Sequence, residues 1–123
     1  MKRPFEVRAR LRSFKYAFRG IFSLIASQHN AWIHALATVS VIVFGIYFQV
    51  SRSDWCWLVV AITMVWMAEA LNTAVEFVAD AAITDIHPLI EKAKDIAAAA
   101  VLITAIGAAI IGLLIFYPYL KVF

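Results

Sequence analysis

The chain has 123 residues, 64% hydrophobic and 15% charged, with a formal net charge of +3. A soluble globule of this size buries only about 60–70% of the surface its unfolded chain exposes, so lipid is the solvent this composition calls for. The single Cys56 excludes an internal disulfide and a cysteine-cluster metal site, and the few basic residues on a largely apolar chain argue against a nucleic-acid partner.

Residues 1–123 read as one integral-membrane domain. Seven of its eleven Lys and Arg lie within residues 1–19. They alternate with apolar residues as far as Arg19, which is not the pattern of a signal peptide. At 100° per residue, Leu11, Phe14, Phe18, Ile21, Phe22 and Ile25 share one arc of about 100°, with Arg8, Arg12, Lys15 and Arg19 on a narrower arc beside it. This predicts an amphipathic surface helix over residues 7–27, lying at headgroup level or packed on the spans.

Three spans follow. Residues 31–50 carry no formal charge apart from that of His34, and twenty residues of helix rise about 30 Å, the thickness of a bilayer core. Residues 55–79 are equally long but include Glu69 and Glu76, and residues 96–117 are uncharged. The third span is rich in alanine and glycine, which permits close helix approach in lipid. Trp55, Trp57, Tyr117 and Tyr119 stand at span ends, where amphipathic rings anchor to the interface. Pro88 in "DIHPLIEKAKD" suits the first position of a helix, and Glu91 and Lys94 are spaced to pair. The distribution of Lys and Arg places the N-terminus and the 81–94 connection in the cytoplasm, with the "SRSD" turn and the C-terminus outside.

The second span holds the chemistry. With Glu69 at 0°, Asn72 falls at 300°, Glu76 at 340° and Asp80 at 20°, one arc of about 80° drawn out along about 16 Å. A carboxylate in hydrocarbon costs at least ~2.5 kcal/mol, whereas an interhelical polar contact returns only about 0.6–2 kcal/mol. Packing alone does not account for such a stripe. Its shallow carboxylates suit Mg²⁺, which takes oxygen ligands and keeps waters and phosphates in its shell. Lys94 suits a phosphate, and Glu69 is placed to take a proton from a hydroxyl arriving from the lipid. Together they fit phosphoryl transfer to a membrane alcohol. There is no Walker A run and no G-x-G-x-x-G, so helix side chains would have to build the nucleotide site.

"EALNTAVE", "AKDIAAAAVL" and the "YAFRG" of the first helix resemble the bacterial diacylglycerol kinase family of small membrane lipid kinases, which includes the undecaprenol kinases. The resemblance covers nearly the whole chain. It implies an all-α homotrimeric helical bundle in the bacterial inner membrane, with active sites near the cytoplasmic face. It also implies transfer of the γ-phosphate of Mg-ATP to a diacylglycerol or polyprenol hydroxyl. Carried over by position, Glu69 is the general base, Asn72 orients the site and Glu76 binds metal. Asp80, Lys94 and Asp95 serve the nucleotide, with Tyr16 and Gln28 beside them. "NAWIH", Asn30 to His34, is closer to the undecaprenol kinase branch.

The chain departs from the pattern at two positions. Gln28 stands where the family usually has a second metal-binding glutamate, and Trp32 where an arginine is common. The expectation is a reorganised metal site in which Gln28 contributes a neutral oxygen and Asp80 or nucleotide oxygens compensate. His34 is expected at the nucleotide or at a helix interface, and His29 and His87 in loops or interfaces. A small multidrug or cation exporter is the main rival, but such proteins usually have four spans with their carboxylate in the first. A non-catalytic membrane subunit is the other.

Overall fold

Helix formation follows from the long apolar runs, since backbone N–H and C=O groups facing hydrocarbon must be satisfied within the segment. The computed structural model describes residues 3–82 and 85–121. The 81–94 connection therefore includes two positions, 83 and 84, outside the described residues. Among the described residues the regular structure is helical throughout: α1 (Val7–Ser27), α2 (His29–Tyr47), α3 (Arg52–Ala82) and α4 (Pro88–Leu120). The last three are long and apolar enough to cross a membrane.

A single residue separates α1 from α2. Gln28, at φ −121° and ψ 125°, ends one helix and begins the next in an extended conformation. Helix α1 is exposed along its length except at Leu24 and touches α2 and α3 lightly.

Helix α2 stops earlier than the apolar run. The Gln49 N–H donates to the Ile46 carbonyl and the Val50 N–H to the Gly45 carbonyl, with Gln49 at φ 51°. This is a Schellman motif made without the usual glycine. It folds Phe48–Val50 out of the helix and buries Val50. Ser51 then caps α3: its Oγ accepts from the Asp54 N–H at 3.1 Å.

Helices α2, α3 and α4 run antiparallel in sequence, with α3 in the middle. The α3–α4 seam is the most extensive and is latched at both ends, by the Tyr119 hydroxyl donating to Asp54 Oδ2 at 3.2 Å and by Lys94 against Asp80 at 3.6 Å. The core at the Ser51 end centres on Val50, Leu58 and Ile115, flanked by Phe48, Trp55, Phe116 and Tyr119. Trp55 and Tyr119 are half-buried, each packed on a neighbouring helix. Trp57 and Tyr117 remain exposed. Trp55 lies over Gly45, where a Cβ would come 2.6 Å from the indole Cη2. Only a glycine lets α2 and α3 approach so closely there.

At the other end of α4, Pro88 occupies the first turn and His87 caps it, its Nδ1 accepting from the Leu89 N–H at 3.2 Å. Most of α4 is exposed, and Cβ atoms built at Gly107 and Gly112 would meet nothing.

Candidate active site

The buried face of α3 comprises Leu58, Ala61, Val65, Ala68, Glu69, Asn72, Thr73 and Ala79. The first four are apolar and need only close packing. From Glu69 onward the same face turns polar, and the consequences depend on depth.

Glu69 is 0% exposed and Asn72 5%, Glu76 is half-buried, and the Asp80 side chain is 71% exposed. The four residues of the stripe thus form a gradient from the sealed middle of α3 to its open end. The Asn72 amide donates to Glu76 Oε1 at 3.4 Å, tying two of them one turn apart.

Among the described residues the one hydrogen-bond partner of the Glu69 side chain is His34 of α2, whose Nε2 lies 3.3 Å from Glu69 Oε2. Packing fixes the imidazole. Its ring meets Trp66 edge-on at 6.2 Å between centroids. The Trp66 indole N–H donates to Thr38 Oγ1 at 2.9 Å, and the Thr38 hydroxyl donates to the His34 carbonyl at 2.7 Å. Thr38 and Trp66 gave no functional signal in the sequence. A threonine one turn after His34 and a tryptophan three residues before Glu69 match only once α2 and α3 are placed in register.

Among the described residues three buried acceptor or hydroxyl oxygens have no hydrogen-bond partner: Glu69 Oε1, Asn72 Oδ1 and Thr73 Oγ1. Native proteins satisfy nearly all such groups, so a cluster left open asks for a function. A space of about 240 Å³ between α2 and α4 is lined by Asn30, His34, Asn72 and Ala98 among others. A larger apolar groove of about 540 Å³ runs along α3 and α4 past Met67, Leu71, Asn72 and Ala97. Asn72 borders both.

The other sequence-derived residues sit farther out. Lys94 pairs with Asp80 across the α3–α4 seam rather than with Glu91 on its own helix, and both partners are accessible. Such an exposed pair contributes at most ~1 kcal/mol and is easily exchanged for another anion. Asp95 is exposed on the next residue of α4. Tyr16 is exposed on α1, its ring 5.5 Å from the Arg19 guanidinium carbon, and no hydrogen bond ties it to α3 among the described residues. Gln28 is half-buried at the α1–α2 break, and Trp32 is exposed. No hydrogen bond joins Gln28 to Glu76 among the described residues.

Does this donor set fit a magnesium ion? Glu76 and the open Asn72 Oδ1 are hard oxygen donors one helical turn apart. Mg²⁺ binds through one or two protein carboxylates and takes the rest of its octahedron from water and phosphate. The pair fits that mode. Among the described residues no group of three or more His, Cys, Asp or Glu surrounds a common point, so one chain offers an edge rather than a closed cage.

Comparison with known proteins gives this arrangement its context. Residues 15–116 match the family model described as prokaryotic diacylglycerol kinase. The chain is 37% identical over 115 residues to the undecaprenol kinase of Bacillus subtilis (strain 168), covering 94% of each protein. It is 38% identical over 101 residues to a diacylglycerol kinase of Synechocystis, covering 81% of this chain and 58% of the relative. A diacylglycerol kinase of Helicobacter pylori is 30% identical over 106 residues, covering 80% of this chain and 83% of the relative. With a family match over most of its length, centred on the helices that carry the stripe, the chain belongs to the prokaryotic diacylglycerol kinase family.

Proposed function

We propose that this chain is a lipid kinase that transfers the γ-phosphate of ATP to the hydroxyl of a membrane lipid, a polyprenol in preference to a diacylglycerol. Family membership supports the reaction class. The preference for a polyprenol is supported by the end-to-end likeness to a protein named undecaprenol kinase. The observation that carries the chemistry is Glu69, a carboxylate fully buried in a membrane-spanning helix with one oxygen left open.

In this reading the lipid hydroxyl gives its proton to Glu69 as its oxygen attacks the γ-phosphorus. The new oxygen–phosphorus bond forms as the bond to the β–γ bridging oxygen breaks, and ADP leaves. Glu76 and the Asn72 carbonyl oxygen would hold Mg²⁺, with Gln28 as a further neutral ligand. When bound, the ion neutralises charge on the phosphate oxygens. Lys94 exchanges Asp80 for a phosphate, and Asp95 and Tyr16 lie along the nucleotide's approach. Asp80, released, would be free to accept hydrogen bonds from water.

The active site faces the cytoplasm of a bacterial inner membrane, where ATP is found, and the α1 helix lies on that surface with its basic side toward the headgroups. The working unit is a homotrimer. A single chain leaves α4 largely uncovered and offers only an edge for the metal, both of which further copies would complete. The test is to incubate the purified protein with ATP and Mg²⁺ and, separately, undecaprenol and a diacylglycerol. Phosphorylated polyprenol should form faster. Failure to phosphorylate either lipid would refute the assignment.

A further inference from the structure

Glu69 is held from one side only. Its Oε2 faces His34 Nε2 at 3.3 Å, while its Oε1 is buried and open. As a general base Glu69 has to be the carboxylate, which only accepts hydrogen bonds, so in this reading the imidazole donates from Nε2. The His34 ring packs edge-to-face with Trp66, whose indole is held in turn by Thr38, the residue that bonds back to the His34 carbonyl. Two helices are thereby engaged in fixing one carboxylate.

Resting on the lipid-kinase reading, we infer that His34 is a positioning residue for Glu69: it pins Oε2 and leaves Oε1 as the oxygen that takes the substrate proton. The physical basis is angular. A carboxylate with both oxygens free rotates about its last torsion, which is broad and nearly two-fold. A donor on one oxygen removes that freedom, and the second oxygen then has a single direction. Here that oxygen is the one without a partner, and Asn72, one turn along the same buried face of α3, likewise keeps its Oδ1 open. A fixed near-attack geometry is worth a great deal: a misplacement of about 1 Å can lower a rate ~100-fold. His34 does not touch the phosphate or the lipid in this scheme and acts only through Glu69.

The test compares His34→Leu, which removes the donor, with His34→Gln, whose amide nitrogen reaches about as far as Nε2. Turnover of undecaprenol and of diacylglycerol is measured at varied ATP. His34→Leu should lower kcat about 10- to 100-fold with the KM for ATP nearly unchanged, and His34→Gln should recover most of the loss. In a Glu69→Gln background, His34→Leu should cost nothing further, because the group it positions is already disabled. Should His34→Leu fail to fold, His34→Gln and histidine ¹⁵N NMR of the wild type decide. The Nε2 resonance should be that of a protonated nitrogen and should shift in Glu69→Gln. Normal kcat in His34→Leu, equal loss in the Leu and Gln variants, or an unprotonated Nε2 would overturn the positioning role. A wild-type protein that phosphorylates neither lipid would overturn the kinase reading, and this inference with it.

Discussion

Replacing Glu69 by glutamine separates catalysis from stability. The amide is nearly isosteric with the carboxylate, and its carbonyl oxygen can still accept from His34 Nε2, now 3.3 Å from Oε2. The NH₂ group then occupies the place of the open Oε1, where no lone pair remains to take a proton. General-base catalysis contributes about 10²–10⁴-fold, equivalent to ~2.7–5.5 kcal/mol in the barrier. The kcat of Glu69→Gln should fall by that factor, with ATP binding little changed. Stability should move the other way. A charge at the centre of a span costs about 2.5–3.5 kcal/mol before compensation, and the single histidine contact offsets only part of that. The neutral variant should be as stable as the wild type or more so, by up to ~2 kcal/mol, as happens when a functional site is relieved of strain. The assays are lipid phosphorylation in detergent or bilayers and thermal unfolding of the same preparations. Turnover within tenfold of wild type would remove Glu69 from the mechanism. A loss of more than about 1 kcal/mol of stability would make it a structural clamp instead.

Four further outcomes are expected. Gly45→Ala puts a methyl group 2.6 Å from the Trp55 ring and should destabilise the fold by about 1–3 kcal/mol in thermal unfolding. Gln49→Gly relieves a side chain held at φ 51° and should stabilise by ~0.5–1 kcal/mol in the same assay. Lys94→Ala should raise the KM for ATP about tenfold or more, whereas Asp80→Ala should leave stability within about 1 kcal/mol, since their pair is solvent-exposed; kinetics and unfolding curves check each. Gln28→Glu should leave the Mg²⁺ concentration for half-maximal turnover within about threefold of wild type if Glu76, Asn72 and the nucleotide complete the shell; a large gain in affinity or rate would show that the site lacks a ligand.

Periodicity made some of this legible and left the rest hidden for identifiable reasons. The helix read over 7–27 coincides in its bounds with Val7–Ser27, since its signal lies within one helix. The first span, read over 31–50, ran three residues past Tyr47, because the left-handed turn residue is Gln49 and not glycine. The other spans, read over 55–79 and 96–117, lie inside the longer helices Arg52–Ala82 and Pro88–Leu120, whose N-termini Ser51 and His87 cap. Hydropathy marks where lipid is, not where a helix stops. The Glu69–Asn72–Glu76–Asp80 stripe was visible because one helix carries all four. The partner of Glu69 was not, because His34 meets it across 35 residues of sequence, in a register set by Gly45 against Trp55 and Thr38 against Trp66. The same limit applies to Lys94: local spacing points to Glu91, whereas the packing of α4 on α3 brings in Asp80.

The burial gradient along α3 argues for the division of labour in the proposed reaction. A carboxylate that only glued helices together would gain most by satisfying both of its oxygens, yet Glu69, at 0% exposure, keeps an acceptor open in the interior, as does Asn72 one turn along. Asp80, at the accessible end, already has a cation beside it. Polar capacity is thus withheld where water is absent and used where water is plentiful, the reverse of what stability favours. A proton acceptor has to be unoccupied before its substrate arrives and shielded from solvent when it does. Charged groups that handle a triphosphate have to remain reachable from the aqueous side. A single helix meets both requirements by running from one environment into the other, with Asn72 and Glu76, joined by a hydrogen bond, between its sealed and its accessible ends.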